Sequence, residues 1–184
     1  MQRTTCLTFA LTLVASMALA QGTDRAAGQQ GSYDRIKRLV TGSAQEMPDA
    51  GFSHRPADGI RNFAEVFGHV ADFHYGTCAQ ARGLDNPMQG MSQEDALATG
   101  TKQETLDVLT ASYDFCDPAF ELLTDASAGE MLQGGRGGPT ARGAILNRIL
   151  QHDNEMYGIT TVYLRTNGEV PPASQGRGRG GRGQ

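Results

Sequence analysis

TARGAILNRILQHDNEMYGITTVYLRTN, running from Thr140 to Asn167, is the stretch on which the fold of this 184-residue chain turns. Ile145, Ile149, His152, Met156, Ile159 and Tyr163 recur at steps of four and three, a spacing that stacks their side chains on one face of an α-helix. The segment follows the glycine-rich run Gly134 to Gly138 and stops at Asn167-Gly168, with Pro171-Pro172 beyond. Glycine takes the left-handed cap at little cost, and proline cannot continue the helix. One member of the stripe is out of character. His152 stands where leucine would make an ordinary core, and a polar ring in that place needs a partner.

Working towards the N-terminus, three more segments show the same period. Leu106, Leu109, Tyr113, Cys116, Phe120 and Leu123 form a stripe behind Thr101-Lys-Gln-Glu104, a capping-box pattern that satisfies free backbone N–H groups at a helix start. Pro118 falls inside this run, removes a backbone donor and predicts a kink or short break. Between Arg61 and Arg82, Phe63, Val66, Val70, Phe73 and Thr77 share a face, and Gly83 supplies the stop. Ser32 to Glu46 places Ile36, Leu39 and Val40 together before Met47-Pro48 ends it. No alternating strand pattern competes, so the economical architecture is an all-α four-helix bundle. The polar, glycine-rich residues 21–31 read as a disordered lead-in, and the Gly/Arg tail 175–184 lacks any apolar residue.

At the start, Arg3, the apolar run Cys6 to Leu19 and the small-residue pattern Ala18-Leu19-Ala20 read as a cleavable signal peptide, residues 1–20. The run is short of the roughly 20 apolar residues a bilayer needs. The expectation is a periplasmic or secreted protein with no transmembrane segment after cleavage. Loss of Arg3 with the leader moves the formal charge from −4 to −5, which offers no overall attraction to nucleic acid or anionic membrane. The tail arginines Arg177, Arg179 and Arg182 look like nucleic-acid-binding RGG segments, but export keeps them from RNA, and the tail reads as simply solvated, its charge able to reach acidic surface polymers or lipid headgroups. Of three cysteines, Cys6 leaves with the leader, and Cys78 and Cys116 remain as a pair. In an oxidising compartment an even count favours a bridge, worth roughly 4 kcal/mol in the chain-entropy model. Two buried free thiols or a metal-binding thiolate pair are the alternatives.

His69 lies beside Val66, Val70 and Phe73, close enough to the buried face to look into the bundle. Inward imidazoles on two facing helices are the beginning of a metal site. The stretches Phe63 to Cys78, FAEVFGHVADFHYGTC, and His152 to Pro172, HDNEMYGITTVYLRTNGEVPP, resemble the DinB-like superfamily of metalloenzymes. The resemblance extends over Ser32 to Ser174. It implies a four-helix bundle of up-down-down-up connectivity, and a divalent metal, zinc or nickel, held by one histidine of the second helix and two of the fourth at i, i+4. Characterised relatives include thiol-dependent transferases and isomerases. His69 matches the second-helix ligand and His152 the first ligand of the fourth, whereas the third position falls on Met156. A thioether is a poor zinc ligand and suits copper better.

Glu155 is the candidate substitute, one step from Met156 and three from His152. His74 is about 140° round the helix from His69 and shares no face with it. Asp72 and Asp153 read as surface charges or as acceptors for an imidazole N–H, and His54 as an exposed loop residue. If the second and third helices run parallel, Cys78 and Cys116 stand nearly level, whereas an antiparallel pair would offset them by roughly 15 Å. Spacing and resemblance thus point to the same connectivity.

Two functions compete. One is an exported metal-dependent enzyme, of hydrolase or thiol-dependent transferase type, acting on an unidentified small molecule through His69 and His152. The other is a non-catalytic binding or structural module whose metal site is degenerate at Met156 and whose disulfide supplies the stability. A homodimer is compatible with either, and a nucleic-acid partner with neither.

Overall fold

The computed structural model describes residues 25–133 and 138–175. The expected signal peptide (residues 1–20) and the Gly/Arg tail beyond residue 175 lie outside this range. Four long helices, α1 (Arg25–Glu46), α2 (Phe63–Arg82), α4 (Lys102–Glu121) and α6 (Arg142–Thr166), carry the fold. Two short helices lie between them: α3 (Gln93–Ala96) precedes α4, and α5 (Asp125–Ala128) follows it. A two-residue antiparallel pairing of β1 (Met131–Leu132) with β2 (Thr140–Ala141) leads into α6. No alternating pattern announced it, since a two-residue strand has no period to read.

Local chemistry sets the helix ends. The box at Thr101 and Glu104 forms as expected, and a second box closes the start of α2, where Asn62 accepts from the Glu65 N–H and Glu65 from the Asn62 N–H. Gly83 ends α2 with φ 67°, a left-handed conformation that glycine adopts without a Cβ clash. The break expected at Pro118 does not occur. The helix runs on through Pro118 to Glu121; the proline removes one donor, the N–H that would reach the Asp114 carbonyl, and it does so within a turn of the helix end, where little helix follows to be disturbed.

The disordered lead-in does not survive from Arg25 onward, where α1 has already begun. Its polar first turns are anchored from outside the helix. Asp125 accepts from the Ala26 N–H, Gln29 donates to the Gly143 carbonyl, and Gln30 donates to the carbonyls of Phe120 and Leu123. Such bonds depend on tertiary neighbours and leave no periodic trace in the sequence.

The pairing of the helices follows from their contacts. α2 packs against α4 and α6, and α1 packs against the same two. His74 meets Ser112, and Cys78 is bonded to Cys116, both at a separation of 38 residues. A constant offset means that α2 and α4 run parallel. Gln29 with Gly143 and Ser43 with Thr160 likewise set α1 parallel to α6. In contrast, Tyr163 reaches back to the Arg61 carbonyl while Arg148 reaches Gln80, so α6 runs antiparallel to α2. Lys102 bonds the carbonyls of Gln45 and Met47 as Tyr33 bonds Asp117, which sets α1 antiparallel to α4.

The core lies along the bundle axis, where Ile36, Val40, Phe67, Val70, Ile145 and Ile149 have no exposed surface. Each such side chain contributes about 1.5–3 kcal/mol by leaving water. Tyr33 stacks on Phe120 at 3.8 Å between ring centroids. Among the described residues, no helix is long and apolar enough to cross a membrane.

Candidate metal centre

The site begins on the face of α2 turned towards α3. Gly68 has no side chain to hold α3 away: a Cβ there would lie 2.5 Å from the Gln93 carbonyl oxygen and 2.6 Å from the Glu94 Cα. One turn on, the Asp72 carboxylate accepts from the backbone N–H groups of Gln93 and Glu94 and from the Ser92 hydroxyl, at 2.8, 3.1 and 3.2 Å. Anions are favoured at exposed helix N–H groups, so Asp72 fixes the first turn of α3 against α2. This delivers the Glu94 carboxylate to His69, with Oε2 3.0 Å from Nδ1. Arg61, just ahead of the α2 cap, clasps the same carboxylate through Nε at 2.7 Å and its terminal nitrogen at 3.1 Å.

Charge of both signs surrounds the His69 ring. Burial pushes the Glu94 carboxyl up, but the bonds and charge of Arg61, with His69, hold it below the usual carboxylate range. An ionised carboxylate can only accept and a guanidinium can only donate, and His69 Nδ1 lies within reach of both, 3.0 Å from Glu94 Oε2 and 3.2 Å from a terminal nitrogen of Arg61. Burial, together with the positive charge of Arg61 and proximity to His152, lowers the His69 pKa despite Glu94. The ring is neutral at pH 7. A carboxylate on one imidazole nitrogen with the other left free is how ligating histidines are commonly oriented.

His152 approaches from α6. Its ring centroid is 5.0 Å from that of His69, and Phe73 covers its face at 4.0 Å with planes 12° apart. Its side chain is 10% exposed, and both ring nitrogens are buried with no hydrogen-bond partner. The Asp153 Oδ1 lies 3.8 Å from Nδ1, beyond hydrogen-bonding reach. An imidazole buried without a partner costs stability unless something binds it.

Next to this pair is a closed polar network. The fully buried Asp153 accepts from Tyr113 at 2.9 Å and meets His74 Nε2 at 2.9 and 3.2 Å, while His74 Nδ1 meets Ser112 at 3.1 Å. Burial alone would raise the Asp153 carboxyl, but the His74 charge, the nearby His152 ring and the bonds of His74 and Tyr113 bring it down to about 2. Burial and Asp153 drive the Tyr113 phenol well up. The disulfide caps the network: Cys78 and Cys116 are joined across α2 and α4, with Cα atoms 5.3 Å apart, and Cys116 Sγ lies against the His74 carbonyl.

The residues singled out in the sequence are thus partly assembled. His69 and His152 come together, and Met156 is buried one turn along α6. Glu155 is exposed, about 100° round the helix from the buried Met156. Asp153 is not a surface charge. It turns into the core because Tyr113 and His74 supply the donors that a buried carboxylate needs. Asp72 is neither free on the surface nor an imidazole acceptor, since the α3 backbone occupies it. His54 is half-buried, with its ring 6.2 Å from that of Tyr163. Arg61 and Glu94 escaped the sequence reading. The one available signal was Ser92 ahead of Gln-Glu-Asp95, a helix-start pattern in what otherwise reads as a connection. Among the described residues, no group of three or more histidine, cysteine, aspartate or glutamate side chains is placed to hold a metal ion.

Beside the histidine pair a cavity of about 400 Å³ opens, with Arg61, Val66, Glu94, Met156, Ile159 and Tyr163 among its walls. The fold and site define a helical bundle with one imidazole from each of two antiparallel helices facing across its interior. The chain belongs to the DinB superfamily, whose family model matches residues 32–158. Among solved structures, a DinB-like protein from Bacillus cereus ATCC 10987 is similar, with a TM-score of 0.65 and 18% identity over 79% of this chain and 95% of that one. A conserved protein from Enterococcus faecalis matches with a TM-score of 0.60 and 14% identity, over 76% and 94%. A DinB-like protein from Bacillus subtilis gives 0.53 and 17%, over 78% and 94%. At these identities the likeness is one of fold. No curated protein matches.

Proposed function

We propose that this is an exported metal-dependent enzyme, of hydrolase or thiol-dependent transferase type, that holds its metal between His69 and His152. The observation that carries the reading is the His152 ring, with both nitrogens buried and unpartnered beside a second imidazole. The donors present suit a metal: Glu94 and Arg61 both hold His69 at Nδ1, which turns Nε2 away from them, and Phe73 covers the His152 ring. A metal bound there would supply a Lewis acid and lower the pKa of a coordinated water or thiol. The protein's own part is to fix the two rings, through Glu94 and Arg61 on one side and Phe73 on the other. The neighbouring cavity would admit a small molecule along the apolar walls of Val66, Met156 and Ile159. Elemental analysis of protein purified without a histidine tag tests the reading. Stoichiometric metal, lost in both His69→Ala and His152→Ala, is expected, and metal-free protein of unchanged thermal stability would overturn it.

Met156 favours a second reading, a non-catalytic module of the same fold. Its third ligand position is a thioether, and the bundle is already tied by the disulfide and the Asp153 network. On that reading His152→Leu stabilises the protein, because it removes an unpaired polar ring from the interior.

A further inference from the structure

The donors at the site differ from those a hard divalent ion requires. His69 and His152 offer two imidazole rings, and the residue one turn beyond His152 is Met156, 4% exposed and facing the same cavity as the Arg61 and Glu94 that hold His69. The nearest carboxylates are already paired, Glu94 with Arg61 and Asp153 with His74. Glu155, the other candidate, is exposed. Among the described residues, no group of carboxylates is left to complete a site for the metal.

The cost of burying a charge grows with its square, so a dication held only by neutral donors is penalised far more than a monocation. A thioether is a soft donor that binds zinc poorly and cuprous ion well. Zinc would also lack the third nitrogen, oxygen or thiolate ligand that its catalytic sites ordinarily have. Low-coordinate cuprous ion needs no more than the three donors present.

We propose that His69, His152 and Met156 form a two-histidine, one-methionine site that selects monovalent copper over zinc. The inference rests on the metal site proposed above and narrows which ion it holds; a soft monovalent ion activates water poorly, so it does not carry the hydrolytic form of that reading.

The test is an anaerobic competition with the Cu(I) chelator bicinchoninate, in ascorbate, on the untagged full chain, beside a zinc competition with a chromophoric chelator. One equivalent of Cu(I) is expected to bind more tightly than zinc. Met156→Leu, a nearly volume-conserving change that should fold normally, is expected to weaken Cu(I) by more than about tenfold, the lower end of what even an outer partner contributes to a metal site. The same change should leave zinc affinity unaltered, and Met156→His should invert the preference. The copper-edge absorption spectrum of the loaded protein is expected to show a sulfur scatterer that Met156→Leu abolishes. A chain that binds zinc through His69 and His152, with Cu(I) affinity indifferent to Met156→Leu, overturns the copper inference and leaves the metal site standing. A chain that binds neither ion overturns both.

Discussion

Replacing Asp153 with asparagine tests whether the interior of the bundle is held by charge. The carboxylate has no exposed surface and three close contacts: His74 Nε2 at 2.9 and 3.2 Å and the Tyr113 hydroxyl at 2.9 Å. Its pKa falls from the ordinary 3.8 to about 2, and at about 1.36 kcal/mol per unit this corresponds to about 2 kcal/mol of stability. The amide also leaves His74 without its counter-charge, and breaking a buried pair from one side costs about 3–5 kcal/mol in all. The sign with pH is fixed. A carboxyl depressed on folding contributes fully above its unfolded value of 3.8 and loses that contribution as pH falls towards 2. Urea unfolding under non-reducing conditions, at pH 7 and in steps from pH 5 to pH 2.5, measures both quantities. Asp153→Asn should be less stable than wild type by about 3–5 kcal/mol at pH 7, with the gap narrowing through the acid range. A loss below about 1 kcal/mol, the scale of one ordinary hydrogen bond, or a gap that holds constant to pH 2.5, would refute the assignment of the network as a charged one.

Other consequences are simpler to check. Glu94→Gln removes the carboxylate that orients His69 and should weaken metal binding by about 10–100-fold without unfolding the chain, as read by chelator competition beside circular dichroism. The His69 imidazole should titrate below 6.5 in a proton NMR pH series, because burial and Arg61 outweigh Glu94. Asp72→Ala strips the acceptor from the first turn of α3 and should cost about 0.5–2 kcal/mol in urea unfolding, with faster amide exchange at Gln93 and Glu94. Replacing both Cys78 and Cys116 with alanine opens a link spanning 38 residues and should lower stability by about 2–5 kcal/mol. Mass spectrometry of the unreduced chain checks the bridge itself.

The four long helices and the histidine pair were legible in the sequence because each rests on local physics. The 3.6-residue period aligned His152 with Ile145, Ile149, Met156 and Tyr163, and the capping box at Thr101 set the start of α4 to the residue. Cys78 and Cys116 could be judged level only for parallel helices, and α2 and α4 do run parallel. What the period could not show was which polar residues turn inward. Asp153 follows His152 directly, and nothing local separates a surface aspartate from one buried against His74 and Tyr113, residues that lie 79 and 40 positions away. Glu94 came to His69 only because Gly68 and Asp72 seat a short helix on α2. The first turns of α1 formed because Asp125 and the carbonyls of Phe120, Leu123 and Gly143 wait for them. The sequence by itself therefore determined the helices, their buried faces and the two imidazoles. Only the tertiary structure decided how those rings are oriented and where the interior charge sits, because both depend on hydrogen bonds between groups that the chain brings together last.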